Sequence, residues 1–275
     1  MSGCDNLRVA SERMNHSRRQ MLGLCASMLT APIRSLYAEP TLGVILPRKD
    51  TVPAEALTMY PTGVRFLTEG FSTADDGPLI GTLATYEKFK DRMVPAAEAL
   101  SKQGAQAILL LGTSVTFYKG AAYNQSIADS IHQATGLAAT TMSSAIVEGL
   151  HAVGARRLAV ATGYIDEVNE QFRVFLQESG FEVVALKGLG LLTPSALSQE
   201  QNLGKFAESV YDTAPKADAV VMAFAASRTL EVIAPVERRC GVPVISARPH
   251  AFWAGVRLLG LRGTASGFGT LLSKS

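Results

Sequence analysis

The sequence is poor in the residues from which thiol and metal chemistry are built. It has three cysteines and four histidines in 275 residues, and no His/Cys/Asp cluster shows metal-ligand spacing. Cys4 and Cys25 fall within the first 38 residues. If that segment is removed, as its pattern predicts, Cys240 is the sole remaining thiol and an internal disulfide is excluded. Cys240 stands in Glu237-Arg238-Arg239-Cys240-Gly241, which reads as the end of a helix with Gly241 just past it. A Gly-rich phosphate loop is also missing. Charge is scarce: 26 Lys and Arg oppose 24 Asp and Glu. Residues 1–38 hold Arg8, Arg13, Arg18, Arg19 and Arg34 against Asp5 and Glu12, so the remainder has 21 basic and 22 acidic residues. That balance removes support for a nucleic-acid partner.

What the first 38 residues do contain is the three parts of an export signal. Ser17-Arg18-Arg19 is basic, Met21 to Ile33 is apolar, and the small Ala38 precedes Glu39-Pro40. The arginine pair suits a twin-arginine signal, which predicts a periplasmic protein cut near Ala38. The apolar run is too short to span a bilayer comfortably, so no stable membrane association is expected after cleavage. Met14, just ahead of Ser17, is an alternative start to Met1. Leu22-Gly23-Leu24 before Cys25 is a poor lipidation match.

From Thr41 onward the chain alternates strands and helices. Leu42 to Leu46 reads as a strand ending in Pro47 and a polar loop, Arg48-Lys49-Asp50. Residues 62–82 read as irregular around a short strand, Val64 to Leu67. Apolar residues then recur at helical spacing from Tyr86 to Gln103 (Phe89, Met93, Ala97, Leu100). Ile108 to Leu111 is continuously apolar, as expected of a parallel strand buried on both faces. It runs straight into Gly112-Thr113-Ser114. Ligands of open α/β sheets bind outside the strand C-termini, where backbone N–H groups and hydroxyls can hold an anionic oxygen. Spacing alone equally allows a strand-to-helix turn with a hydroxyl cap.

Beyond that turn the pattern predicts a helix over Asn124 to Thr135, a strand over Ala138 to Thr141, and a helix capped by Ser143 or Ser144 and running to Val153. A strand at Leu158 to Ala161 leads into Thr162-Gly163-Tyr164, followed by an amphipathic helix from Glu167 to Gly180 and a strand at Val183 to Leu186. A loop containing Gly188, Gly190 and Pro194 precedes a helix from about Gln199 to Ala214, and Ala217 to Ala223 is another buried strand.

Two stretches echo each other: Ala105 to Ser114 resembles Ala217 to Ser227, and Thr135-Gly136-Leu137-Ala138 resembles Cys240-Gly241-Val242-Pro243. The period of about 110 residues suggests two similar α/β lobes, since solenoid repeats are far shorter. The expected boundaries are 41–154 and 155–275, with the last helix packing back on the first lobe. If both sheets turn their carboxyl ends toward one another, the loops Pro47 to Asp50, Gly112 to Ser114, Thr162 to Tyr164 and Phe224 to Arg228 converge on a cleft, a usual place for a small-molecule site.

LLGTSVTFYKGAAYN, ATGYIDEVNEQF and IAPVERRCGVPVIS resemble the arylmalonate decarboxylase and maleate isomerase branch of the aspartate/glutamate racemase superfamily, over nearly all of Thr41 to Ser275. The resemblance implies an α/β fold of two pseudo-symmetric doubly wound lobes, each with a four-stranded parallel sheet, around a central cleft. It implies that Thr113, Ser114 and Tyr164, with backbone N–H groups, hold one carboxylate of a disubstituted malonate. The other carboxylate sits in an apolar pocket and leaves as carbon dioxide, after which a cysteine protonates the enediolate. No metal or organic cofactor is needed on this scheme. Gly112 is the position at which racemases of the superfamily carry their first cysteine.

At the second thiol the chain departs from the family. Counting back from Val236-Glu237-Arg238-Arg239, the decarboxylase cysteine falls on Phe224, and the two glycines after it become Ala225 and Ala226. Phenylalanine has no proton to give. Arg228, Arg248 and His250 are expected in loops around the lost thiol, with Arg48 and Lys49 across the cleft. As a group they favour an anionic ligand, and His250 is the candidate replacement acid. Pro47, Gly112, Phe224, Ala225, Arg228 and Arg248 are the expected substrate contacts. Three functions compete: a cofactor-independent carbon–carbon lyase acting on a small carboxylate, a non-catalytic periplasmic carboxylate-binding protein, and an isomerase or racemase, which ranks below the others because both thiols are missing.

Overall fold

The computed structural model describes residues 39–77, 80–193, 202–224 and 226–274. The expected signal, including Arg18, Arg19 and Ala38, lies outside the described residues, as do Pro194 and Ala225. Strand β1 (Thr41–Arg48) pairs in parallel with β2 (Arg65–Ser72) on one side and β3 (Ala107–Leu110) on the other, and β3 pairs with β4 (Ala138–Thr141). The second sheet has β5 (Arg157–Thr162) between β6 (Glu182–Gly188) and β7 (Ala219–Ala223), with β8 (Val244–Ser246) beyond β7. The orders β2-β1-β3-β4 and β6-β5-β7-β8 are one pattern used twice. The chain therefore has the two pseudo-symmetric parallel α/β lobes that its internal echo implied.

Every residue of β3 and β7 is buried. This is why these strands read as unbroken apolar runs: helices cover both faces, so no alternation with polar residues is required. Around the first sheet lie α1 (Ala54–Met59), α2 (Leu83–Phe89), α3 (Met93–Lys102), α4 (Thr113–Phe117), α5 (Gly120–Thr135) and α6 (Met142–Ala152). Helices α7 (Asp166–Glu178), α8 (Leu203–Asp212), α9 (Leu230–Cys240), α10 (Ala247–Leu258) and α11 (Thr270–Lys274) follow in the second half. Helix α10 packs on α6 and lies across β3 and β4. Gly255 makes that approach feasible: a Cβ there would sit 3.0 Å from Leu42 and 3.2 Å from Leu109. Phe252, one turn away, meets Phe66 edge-on at 5.8 Å, and burying a ring of this size is worth roughly 1.5–3 kcal/mol.

Several local expectations are corrected. The segment after residue 62 forms an eight-residue edge strand, Arg65–Ser72, in register with β1 from Thr41↔Arg65 to Arg48↔Ser72. Its sequence lacks a clear period because pairing with β1, rather than burial of one face, specifies it. The expected single helix over 86–103 is interrupted by a 3₁₀ turn at Lys90–Arg92. Pro95 explains the break: its ring excludes the carbonyl four residues earlier, so a new helix has to start with Pro95 in its first turn. Helix α6 is capped by Thr141, which accepts from the Ser144 amide at 2.9 Å, not by Ser143 or Ser144. Cys240 does end a helix, with Gly241 left-handed at φ 73°. Burial pushes its thiol pKa up, the opposite of what a reactive thiolate requires.

Candidate active site

A cavity of about 630 Å³ opens between the carboxyl ends of the two sheets. Strand β1 contributes Leu46 and Pro47, the end of β3 contributes Gly112, Thr113 and Ser114, and the end of β5 contributes Gly163 and Tyr164. From the β7 loop it is Ala226 that reaches the wall. Phe71, Phe89, Leu111, Val115 and Met142 form an apolar face, a mixture of many carbon groups and few polar ones typical of sites for small organic ligands.

The turn after β3 is built to present backbone and hydroxyl groups. Gly112 has φ 128° and ψ 84°, which L side chains rarely adopt. Two buried hydroxyls hold the turn from behind: Thr116 Oγ1 donates to the Thr113 carbonyl at 2.8 Å, and Ser143 Oγ donates to it at 3.0 Å. Thr113 is fully buried and points its hydroxyl at the Met142 sulfur, 3.2 Å away. Ser114 stands by the Tyr86 phenol. Burial pushes that phenol up to about 12, partly opposed by the Ser114 hydroxyl.

Tyr164 reaches the same wall from the second sheet. Its amide donates to Thr162 Oγ1 at 3.1 Å, and its carbonyl accepts from Asn169 Nδ2 at 3.2 Å and from the Gly190 amide at 3.1 Å. Gly188 permits this packing: a Cβ there would fall 2.2 Å from the Tyr164 carbonyl oxygen. The ring lies edge-on to Phe117 at 5.7 Å and to Phe172 at 6.3 Å, so its orientation is set. Its hydroxyl is buried and makes no hydrogen bond among the described residues. Burial raises its pKa, with the Thr113 hydroxyl opposing, yet Thr113 is turned toward Met142. A buried phenol without a partner costs about 1–3 kcal/mol, which a bound oxygen would recover.

Arg248 also lines the cavity. Its guanidinium donates to Glu55 Oε2 at 3.1 Å, while Glu55 Oε1 accepts from the Thr229 and Leu230 amides at 2.8 and 3.0 Å, at the start of α9. Glu55 has no exposed side-chain surface and Arg248 has 16%. Arg248 and His250 do not sit in a loop, as expected, but in the first turn of α10. His250 lies beneath the site, not in its wall: it is 1% exposed, and its Nδ1 is 3.0 Å from the Ser246 amide. Burial pushes its pKa down to about 4, so the ring is neutral near pH 7 and a poor proton donor.

Phe224 is likewise off the wall: it is buried, with its ring 6.2 Å from that of Phe206 on α8. Arg228 points outward and pairs with Glu231. Of the expected site residues, the structure thus joins Pro47, Gly112, Thr113, Ser114, Tyr164 and Arg248, and leaves out Phe224, Arg228 and His250. Glu55 and Tyr86 were not anticipated. Glu55 meets amides 174 and 175 positions away, which no local pattern announces. Tyr86 looked like one more apolar position on a helix.

A family model described as arylmalonate decarboxylase matches residues 42–272. The chain belongs to the arylmalonate decarboxylase family. It is 37% identical over 240 residues to arylmalonate decarboxylase of Bordetella bronchiseptica, covering 86% of this chain and 98% of that one. The structure of a liganded double mutant of arylmalonate decarboxylase superposes with a TM-score of 0.81, at 37% identity and over 86% of this chain and 100% of the other. Maleate isomerase from Pseudomonas putida S16 shares the fold, with a TM-score of 0.76 at 21% identity over 85% of this chain and 98% of that one.

Proposed function

We propose that the protein is a cofactor-independent carbon–carbon lyase that decarboxylates a small substituted malonate. The observation that carries the reading is the buried, unpartnered Tyr164 hydroxyl beside the Gly112–Ser114 turn in a cavity with an apolar face. On this reading the retained carboxylate accepts hydrogen bonds from Tyr164, Ser114, Thr113 and turn amides. The second carboxylate lies against the apolar face, where water that would stabilise its charge is excluded. The carbon–carbon bond breaks, carbon dioxide leaves without charge, and the electron pair stays on the α-carbon as an enediolate held by the same donors. One proton taken up at that carbon completes the reaction.

The family's cysteine is replaced by Phe224, whose ring faces α8, and Cys240 is buried at the end of α9. Proton delivery therefore differs from the family scheme. Tyr86 and Tyr164 are weak acids on the cavity wall, and either phenol is far more acidic than the carbon acid being formed. The same replacement favours a second reading, a carboxylate-binding protein that retained the pocket and lost the chemistry. Carbon dioxide release from phenylmalonate separates the two: the lyase forms phenylacetate, whereas the binding protein binds phenylacetate and leaves phenylmalonate intact.

A further inference from the structure

Arg248 raises a chemical problem for a malonate site. A carboxylate that leaves as carbon dioxide loses its charge on the way to the transition state, so a guanidinium beside it would stabilise the ground state more and slow the reaction. The retained carboxylate already has the hydroxyl cluster. A nearly buried cation in the wall is useful only for a group that stays anionic throughout. The surrounding groups are built to keep it there. Glu55 is divided between its two oxygens: one takes two amides at the start of α9, the other takes Arg248 Nη1. The amides at a helix N-terminus already supply partial positive charge to Glu55. Glu55 fixes the guanidinium in position at the cavity wall. Arg48 and Asp50, which also line the cavity, are exposed. The Arg48 guanidinium is held by the Gly77 carbonyl, and Asp50 Oδ1 accepts from the Thr51 amide at 2.7 Å.

We infer that Arg248, positioned by Glu55, determines specificity by binding an additional anionic group on the substrate, so that the ligands are malonates whose α-substituent itself carries a carboxylate or similar anion. The inference rests on the carboxylate pocket proposed above. An ionic contact of this kind, made by a cation shielded from water, is worth a ten- to hundredfold preference for such ligands.

The test is calorimetric binding of stable product-like acids to the full chain: phenylacetate, 3-carboxyphenylacetate and 4-carboxyphenylacetate. At least one dianion is expected to bind ten times or more tightly than phenylacetate. In the double variant Arg248→Met/Glu55→Gln, which avoids leaving a buried carboxylate unpaired, that preference, read as the ratio of dianion to phenylacetate affinity, should vanish. Arg248→Lys serves if the double variant does not fold; the preference should then fall, because a single ammonium lacks the fork that engages both Glu55 and ligand. No preference for either dianion in the wild type, or a preference that survives in the variants, overturns the inference. A preference abolished by Arg48→Gln and kept in the Arg248 variants overturns it as well. Failure of the pocket itself is read separately, from phenylacetate affinity that does not change in Tyr164→Phe.

Discussion

Tyr164→Phe removes one oxygen and leaves the rest of the site in place. The phenyl ring keeps its edge contacts with Phe117 and Phe172, and the backbone bonds to Thr162, Asn169 and Gly190 do not involve the side chain. Because the hydroxyl is buried and without a partner among the described residues, its removal relieves a desolvation penalty of about 1–3 kcal/mol, reduced by the small gap left behind. The ligand-free variant should thus be as stable as wild type or up to about 2 kcal/mol more stable, a rise of as much as about 4–8 °C in melting temperature for a domain of this size. Carboxylate binding should move the other way. A hydrogen bond to a charged oxygen is worth about 1.5–3 kcal/mol, so phenylacetate affinity should fall roughly ten- to hundredfold. Thermal unfolding without ligand and calorimetric titration with phenylacetate give the two numbers. A variant that is destabilised by more than about 1 kcal/mol, or that binds phenylacetate as tightly as wild type, would refute the reasoning.

His250 should make stability depend on pH. Its folded pKa of about 4 lies below the ordinary 6.5, so the unfolded chain binds the proton first: the contribution is complete above pH 6.5 and is lost as pH falls through 4, a change of about 3 kcal/mol. Urea unfolding at pH 5 and pH 7 should show roughly 2 kcal/mol of that loss in wild type, and His250→Asn should flatten it. Building in the thiol and glycines that the resemblance implies, with Phe224→Cys, Ala225→Gly and Ala226→Gly, should raise phenylmalonate turnover by about 10²–10⁴-fold, the usual range for a general acid. It should also cost stability, because Phe224 packs against Phe206 in the core; no gain in a folded variant would argue against the proposed loss of an acid at that strand end. We propose that the Arg18-Arg19 pair directs export. Replacing both by lysine should hold the protein in the cytoplasm, while mass spectrometry of the wild type should find a chain beginning near Glu39; an intact wild-type chain from Met1 or Met14 in the cytoplasm would sink this proposal.

The central strands were legible because burial on both faces leaves an unbroken apolar run at Ile108–Leu111 and Ala219–Ala223, and because the echo between those runs implied a second sheet like the first. The edge strand β2 was not, since its half-exposed residues carry no period and its length is set by β1. The hydroxyl half of the site followed from small residues directly after a buried strand. The ionic half did not, because Arg248 and Glu55 are 193 positions apart and only α10 crossing the first sheet brings them together. Arg248 and His250 were expected in loops around the missing thiol, yet Pro249 lies with them in the first turn of α10. A proline in the first turn of a helix removes no hydrogen bond that the helix would make, and that placement is what turns His250 inward and leaves Arg248 at the cavity.

The most direct measurement of the central claim is the fate of phenylmalonate, and of its 3- and 4-carboxyphenyl counterparts, with purified protein in deuterium oxide. The account predicts carbon dioxide and the matching arylacetate in equal amounts, one deuterium at the α-carbon, and loss of the activity in Tyr164→Phe. Tight binding of the arylacetates with no carbon dioxide from any malonate would contradict it.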